Sequence, residues 1–327
     1  MRVRVCLIAL LAFAAGVPPR TSTVFAVSQC KPDAGWNDPS PPHHIYGNTW
    51  YVGTCGISAL LITSDRGHVL IDAATEQAAP QIEANIVAAG FKIADLKLML
   101  ATHAHLDHAG GFAALQRASG ATVISRGLDA AAIERGKGDR TDPQFLEVGP
   151  FPPVTNVRRV VDAERVVLGP LTFTAHATPG HTPGSTTWTW DSCEGAKCLH
   201  MVYVDSVTAI SDGVYKYTDE TAHPGVVAAF RKSLATVGSL PCDVLLTPHP
   251  SASNMWGRIG ADAPSPLADA NACREYAKQA VGKLDERIAK ERVGSVPPSF
   301  RQGSAAATDG FSARARLRSP KMRFRVL

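Results

Sequence analysis

The chain has 327 residues, of which 45% are hydrophobic, 19% charged and 7% aromatic, and its formal net charge is +4. That balance excludes a disordered, collagenous or coiled-coil chain and suffices to bury a substantial core. The basic excess sits at the ends. The first 26 residues carry Arg2, Arg4 and Arg20 and no acid, residues 301–327 carry seven basic side chains against Asp309, and the stretch between is mildly acidic, so the charge gives no ground for a nucleic-acid partner.

The N-terminus reads as an export signal. Arg2 and Arg4 precede an apolar run of eleven residues, 5–15, too short to span a bilayer, which takes about 20. Val24-Phe25-Ala26 offers small residues where a signal peptidase reads them, so cleavage is expected near Ala26. A lipid anchor is rejected because Gln29, not a small residue, precedes Cys30. No later run is apolar enough to span a membrane, so the expected mature protein is exported, placed in the periplasm, and free of the membrane. Six cysteines remain after the signal: Cys30, Cys55, Cys193, Cys198, Cys242 and Cys273. An even count in an exported chain points to disulfides, with 15 possible connectivities. Cys193 and Cys198 flank a tight loop between two strand-like runs and could be bridged on spacing alone.

Residues 34–44 are rich in Pro, Asp and Asn and read as an irregular arm. Strands are expected at 58–63 and 67–72, a helix at 79–89 closed by Gly90, and a buried strand at 96–101. A helix at 111–119 closed by Gly120, a strand at 121–125 and a helix at 128–135 follow. Strands then dominate, at 165–168, 171–177, 185–190 and 199–204. A helix at 225–237, a strand at 243–246 and a long helix at 266–292 close the pattern. This order fits one α/β unit over residues 27–293, with strands sandwiched by helices. From residue 294 to 327 the chain lacks apolar periodicity and reads as a disordered basic tail.

The chemistry concentrates in Thr102-His103-Ala104-His105-Leu106-Asp107-His108-Ala109-Gly110-Gly111, between an apolar strand and a helix. In extended backbone alternate side chains share a face, so His103 and His105 can reach one metal. As the chain turns into the helix, Asp107 and His108 can reach a second. Imidazole and carboxylate suit zinc, which keeps an open position for water when catalytic. Gly110 and Gly111 allow the turn to pack closely. Two metals need more ligands than this run supplies. His181, in TPGHTPG (178–184), and His249, in TPHP (247–250), sit in turns after strands and are well placed to complete the set. The remaining histidines lack such surroundings. No GxSxG elbow is present to offer a serine nucleophile. Trp188 and Trp190 alternate on one strand and read as a core wall.

HAHLDH, TPGHTPG and TPHP together resemble the metallo-β-lactamase superfamily, over roughly residues 30–291. YGNTWYVGT (46–54), DPQF (142–145), WTW (188–190), YVDS (203–206) and TPHPS (247–251) resemble its class B, subclass 3 enzymes. The resemblance implies an αβ/βα sandwich with two metals at one edge of two mixed sheets. It implies His103, His105 and His181 on the first zinc and Asp107, His108 and His249 on the second. It further implies bridges Cys30–Cys55, Cys193–Cys198 and Cys242–Cys273. The implied activity is hydrolysis of penicillins, cephalosporins and carbapenems without a covalent acyl-enzyme, conferring antibiotic resistance. Asp107 then serves as ligand and water-orienting group, Ser206 and Thr208 hold the substrate carboxylate, and Gln144 lines the groove. The implied partner is the small-molecule β-lactam, and the expected state is a monomer. The alternative is a dizinc lactone or thioester hydrolase of the same superfamily, in which Asp205 rather than Ser206 would face the metals. Consecutive strand residues point to opposite faces, so only one of the two can do so.

Overall fold

The computed structural model describes residues 30–31, 33–260 and 263–294; the expected signal segment and residues 295–327 of the expected tail lie outside them. Twelve strands form two mixed sheets among the described residues. The first sheet runs, in spatial order, β1 (His43–Tyr46), β2 (Thr49–Tyr51), β3 (Leu60–Ile62), β4 (His68–Ile71), β5 (Leu96–Leu100), β6 (Thr122–Arg126) and β7 (Arg158–Val160). Pairing is antiparallel from β1 to β4 and parallel from β4 to β7. The second contains β8 (Arg165–Leu168), β9 (Leu171–Ala177), β10 (Thr186–Glu194), β11 (Lys197–Tyr203) and β12 (Val244–Leu246), antiparallel except for the parallel pair β11–β12.

Strand periodicity explains the layering. Leu60 and Ile62, Val69 and Ile71, Leu100, and Ile124 pack inward against Phe173, Trp188, Trp190, Met201, Tyr203, Val244 and Leu246 of the other sheet. Their neighbours Leu61, Leu70, Met99 and Val123 face outward onto α1 (Ala79–Ala88), α3 (Phe112–Ser119) and α4 (Gly127–Arg135). Val202 and Leu245 face α5 (Val226–Ser239) and α6 (Ala272–Gly294) in the same way. Strands buried on both faces need apolar residues at every position, which is why these runs lack polar alternation. The result is the expected helix–sheet–sheet–helix sandwich. Both tryptophans lie in the inter-sheet core as read, and their Nε1–H groups donate to Ala101 O (3.0 Å) and Thr49 Oγ1 (3.1 Å).

Three expectations shift. The arm at 34–44 gives way to strand at His43, because Gly47 turns the chain with φ +54° and pairs His44 with Trp50. The strand expected at 185–190 continues to Glu194, closing a hairpin through Gly195 (φ +59°), with Cys193 opposite Cys198 in register. The last helix starts at Ala272, not 266. Asp269 is held back by its N–H donating to Asp243 O, and its own side chain accepts from Asn271 N, so the preceding residues form a turn. Disulfides join Cys30 to Cys55, Cys193 to Cys198 and Cys242 to Cys273. No helix among the described residues is long and apolar enough to cross a membrane.

Candidate metal centre

The functional side chains gather where the two sheets end together. Here the sheets are stitched by Thr186 N donating to Thr102 O (2.9 Å) and Ser58 N donating to Pro248 O (2.8 Å). After β5 the chain runs without regular structure to His105, which is extended, then turns into α2 (Leu106–Ala109) and α3. That turn requires glycine twice. A Cβ on Gly111 would lie 2.2 Å from Ala73 O, and one on Gly110 2.3 Å from Leu106 O. His181 sits between β9 and β10, and His249 follows β12.

Two ligand groups result. His103, His105 and His181 form one, and Asp107, His108 and His249 the other, with candidate ligand atoms inside each group within 4.8 Å of one another. The ring centroids of His103 and His108, one from each group, are 4.4 Å apart, so the groups adjoin. All six predicted ligands are thus brought together, and five are buried, while His249 is partly exposed.

Hydrogen bonds fix which ring nitrogen is free. Asp205 Oδ1 accepts from His103 Nδ1 at 2.7 Å, with both side chains fully buried, which leaves Nε2 bare. That Nε2 is buried without a hydrogen-bond partner, as a metal-facing nitrogen would be. Asp142 Oδ2 accepts from His105 Nε2 at 3.1 Å and leaves Nδ1 bare. The carbonyl oxygen and the hydroxyl of Thr208 both lie 3.0 Å from His181 Nδ1, which leaves Nε2 with only the Gln144 side-chain amide, 3.4 Å away. Such outer partners set tautomer and ring orientation in metal-binding histidines. Burial and the neighbouring imidazoles hold His103 well below its usual range and push His181 and His249 down to about 4, so all three are neutral, the form that ligates. Burial opposes charge on Asp107 too, but His108, in direct contact with it, outweighs that penalty: the Asp107 carboxyl is lowered and the His108 imidazole raised. Its Oδ2 lies 3.1 Å from His108 Nε2 and 3.5 Å from His249 Nε2. Imidazole nitrogens and a carboxylate converging in this way fit divalent zinc.

Ser206 is buried at the end of the segment after β11, next to Asp205. Gln144 Nε2 approaches His181 Nε2 at 3.4 Å from the 139–150 loop. Several residues take supporting roles that their place in the sequence does not give. Asp205 and Asp142 hold histidines from behind. Asp72 accepts from Thr102 N (2.8 Å) and Thr102 Oγ1 (2.8 Å), anchoring the residue before His103. Trp36, 48% exposed, stands with its ring 6.5 Å from that of His249.

Residues 52–196 match the family model described as the metallo-beta-lactamase superfamily. The fold superposes on the Rm3 metallo-beta-lactamase with TM-score 0.76 and 45% identity, covering 79% of this chain and 97% of that one. It also superposes on MEM-A1, a subclass B3 metallo-beta-lactamase from a soil metagenome library, with TM-score 0.77 and 43% identity, covering 80% of this chain and all of that one. The chain belongs to the metallo-β-lactamase superfamily. Within it, the similarity to solved structures runs to subclass B3. A curated relative, the hydroxyacylglutathione hydrolase of Anaeromyxobacter dehalogenans (strain 2CP-C), is 38% identical over 93 residues, which is 28% of this chain and 28% of that enzyme's length.

Proposed function

We propose that this protein hydrolyses the amide bond of β-lactams, with two zinc ions held by His103, His105 and His181 and by Asp107, His108 and His249. The observation that carries this reading is the pair of adjoining ligand groups with His103 Nε2 buried and unpartnered. Zinc held there would supply a water acidified to a pKa of about 7 and a Lewis acid for the substrate carbonyl. The protein's own groups do the rest. Asp107 ligates and orients the attacking water. Asp205, Asp142 and Thr208 keep three imidazoles in the tautomer that ligates. His181 Nδ1–H is directed at the Thr208 carbonyl, so the Thr208 hydroxyl proton is free to donate outward. Ser206 and Thr208 then receive the carboxylate of the substrate, and Gln144, beside His181, lines the groove. No side chain forms an acyl intermediate.

Penicillins, cephalosporins and carbapenems form the substrate class, and antibiotic resistance is the consequence. The protein acts as a periplasmic monomer after loss of residues 1–26. A second reading, lactone or thioester hydrolysis, draws on the local match to the hydroxyacylglutathione hydrolase. The contact of Asp205 with the rear nitrogen of His103 favours the first. Purified zinc-loaded protein should open all three β-lactam classes and leave glutathione thioesters and acyl lactones intact. Thioester or lactone turnover with inert β-lactams would overturn the proposal.

A further inference from the structure

The loop that carries His181 is gripped from two sides. From the α5 side, Ser233 Oγ donates to Pro179 O (2.7 Å) and Tyr217 Oη donates to Gly180 O (3.1 Å). From the opposite side, the start of α4 grips the next four residues. Arg126 Nη2 donates to Pro183 O (3.2 Å) and Ser185 O (3.1 Å). Asp129 Oδ2 accepts from Thr182 Oγ1 (2.6 Å), and its Oδ1 accepts from Gly184 N (2.8 Å). Gly184 must be glycine, since a Cβ there would lie 2.4 Å from the Asp129 carboxyl.

Asp129 reaches a second loop as well. Its Oδ2 also accepts from Ala104 N at 3.1 Å, the peptide N–H between His103 and His105. One fully enclosed carboxylate, 3% exposed, therefore ties the backbone of the 103–105 segment to that of the 182–184 segment. Three donors converge on two oxygens, a pattern that a carboxylate satisfies and a neutral amide does not, because an amide has a single acceptor oxygen. Asp129 touches none of the six histidine and aspartate side chains assigned to metal. It reaches the segments of His103, His105 and His181 through Ala104 N, Thr182 Oγ1 and Gly184 N, and none of these three bonds goes to residues 106–109 or 247–250.

We infer that Asp129 is a positioning residue that sets the spacing of the trihistidine group alone, leaving the Asp107–His108–His249 group to other supports. This inference rests on the reading that the trihistidine group takes a metal. It separates Asp129 from a residue that merely stabilises the fold, because a general loss of stability would weaken both groups together.

The test is a zinc titration of the full chain against a chromogenic chelator, with cobalt(II) absorption as a second readout. Wild type should show two binding steps, assigned by which one disappears in His181→Ala and which in His249→Ala. In Asp129→Asn, the step lost in His181→Ala should weaken by about 10–100-fold, the range typical of lost outer-shell support. The other step should stay within about twofold, the scatter expected of an uncoupled site. Thr182→Val removes one of the three donors and should move the same step in the same direction by less; it carries the test if Asp129→Asn does not fold. Equal weakening of both steps, or no change in either, would overturn the inference while the two-step wild type upholds the metal reading. A wild type that takes up no metal would overturn that reading and the inference with it.

Discussion

Asp205 separates two accounts of this site by the direction of two effects. It is fully buried, and its Oδ1 accepts a hydrogen bond from His103 Nδ1 at 2.7 Å. Asp205→Ala removes a charge-assisted acceptor from a buried imidazole, a loss of about 1.5–3 kcal/mol. At 1.4 kcal/mol per decade, that corresponds to roughly 10–100-fold in zinc affinity at the group containing His103. Asp205→Asn keeps an oxygen for Nδ1–H and should cost about half that free energy. Stability of the metal-free protein should move differently. Burial raises the Asp205 carboxyl above its usual range, the mark of a charge held at a cost. Asp205→Asn should therefore leave the metal-free protein as stable as wild type or more so. Competition titration gives the affinity, and urea melts in chelator give the stability. Zinc affinity unchanged within about twofold in Asp205→Ala would refute the positioning account. Simultaneous loss of both binding steps would instead favour a carboxylate shared between the metals.

Further outcomes follow from other contacts. Gly111→Ala places a Cβ 2.2 Å from Ala73 O, whereas Gly120→Ala meets open space at φ +74°. Thermal melts should show the former losing about 1–3 kcal/mol through overpacking and the latter about 1 kcal/mol through backbone strain; the reverse order would contradict the packing argument. Glu291 accepts from Arg287 Nε (2.5 Å) and Thr218 N (2.9 Å). Burial alone would raise its carboxyl, but these partners hold it below the usual value, so its stabilisation is present above the unfolded pKa and fades as pH falls through the depressed one. Glu291→Gln should cost about 1–2 kcal/mol at pH 7 and converge on wild type as the pH falls through the depressed value in denaturant melts; a gap that stays constant as the pH falls would exclude the ion pair as the cause. The Cys242–Cys273 bridge spans 31 residues between the start of β12 and α6. Replacing both cysteines with serine should cost about 2–5 kcal/mol by urea denaturation, and an unchanged midpoint would show that α6 docks without it.

Most of the candidate ligand side chains were readable because their spacing is local. His103, His105, Asp107 and His108 sit within six residues at the end of an apolar strand, and the turn glycines around His181 marked a strand end. The strand cores were readable for the same reason, since Leu60–Ile62 and Val244–Leu246 are apolar at every position. The carboxylates behind the histidines were not. Asp142 lies 37 residues from His105, and Asp205 lies 102 from His103, so their roles exist only once the two sheets close. Asp129 likewise looks like an ordinary acid in the first turn of a helix until two distant loops arrive on it. The β1–β2 hairpin was obscured by Pro41 and Pro42 before it, although Gly47-Asn48 was a turn signal in plain view.

The claim at the centre of this account is that β-lactam hydrolysis here depends on zinc held by these two groups. The direct measurement is carbapenem or penicillin turnover by protein stripped with chelator, then titrated with zinc while bound metal is counted. The account predicts no turnover in the stripped protein and recovery that follows zinc uptake, reaching full activity as the His103–His105–His181 and Asp107–His108–His249 groups fill. Undiminished β-lactam turnover by metal-free protein would contradict it.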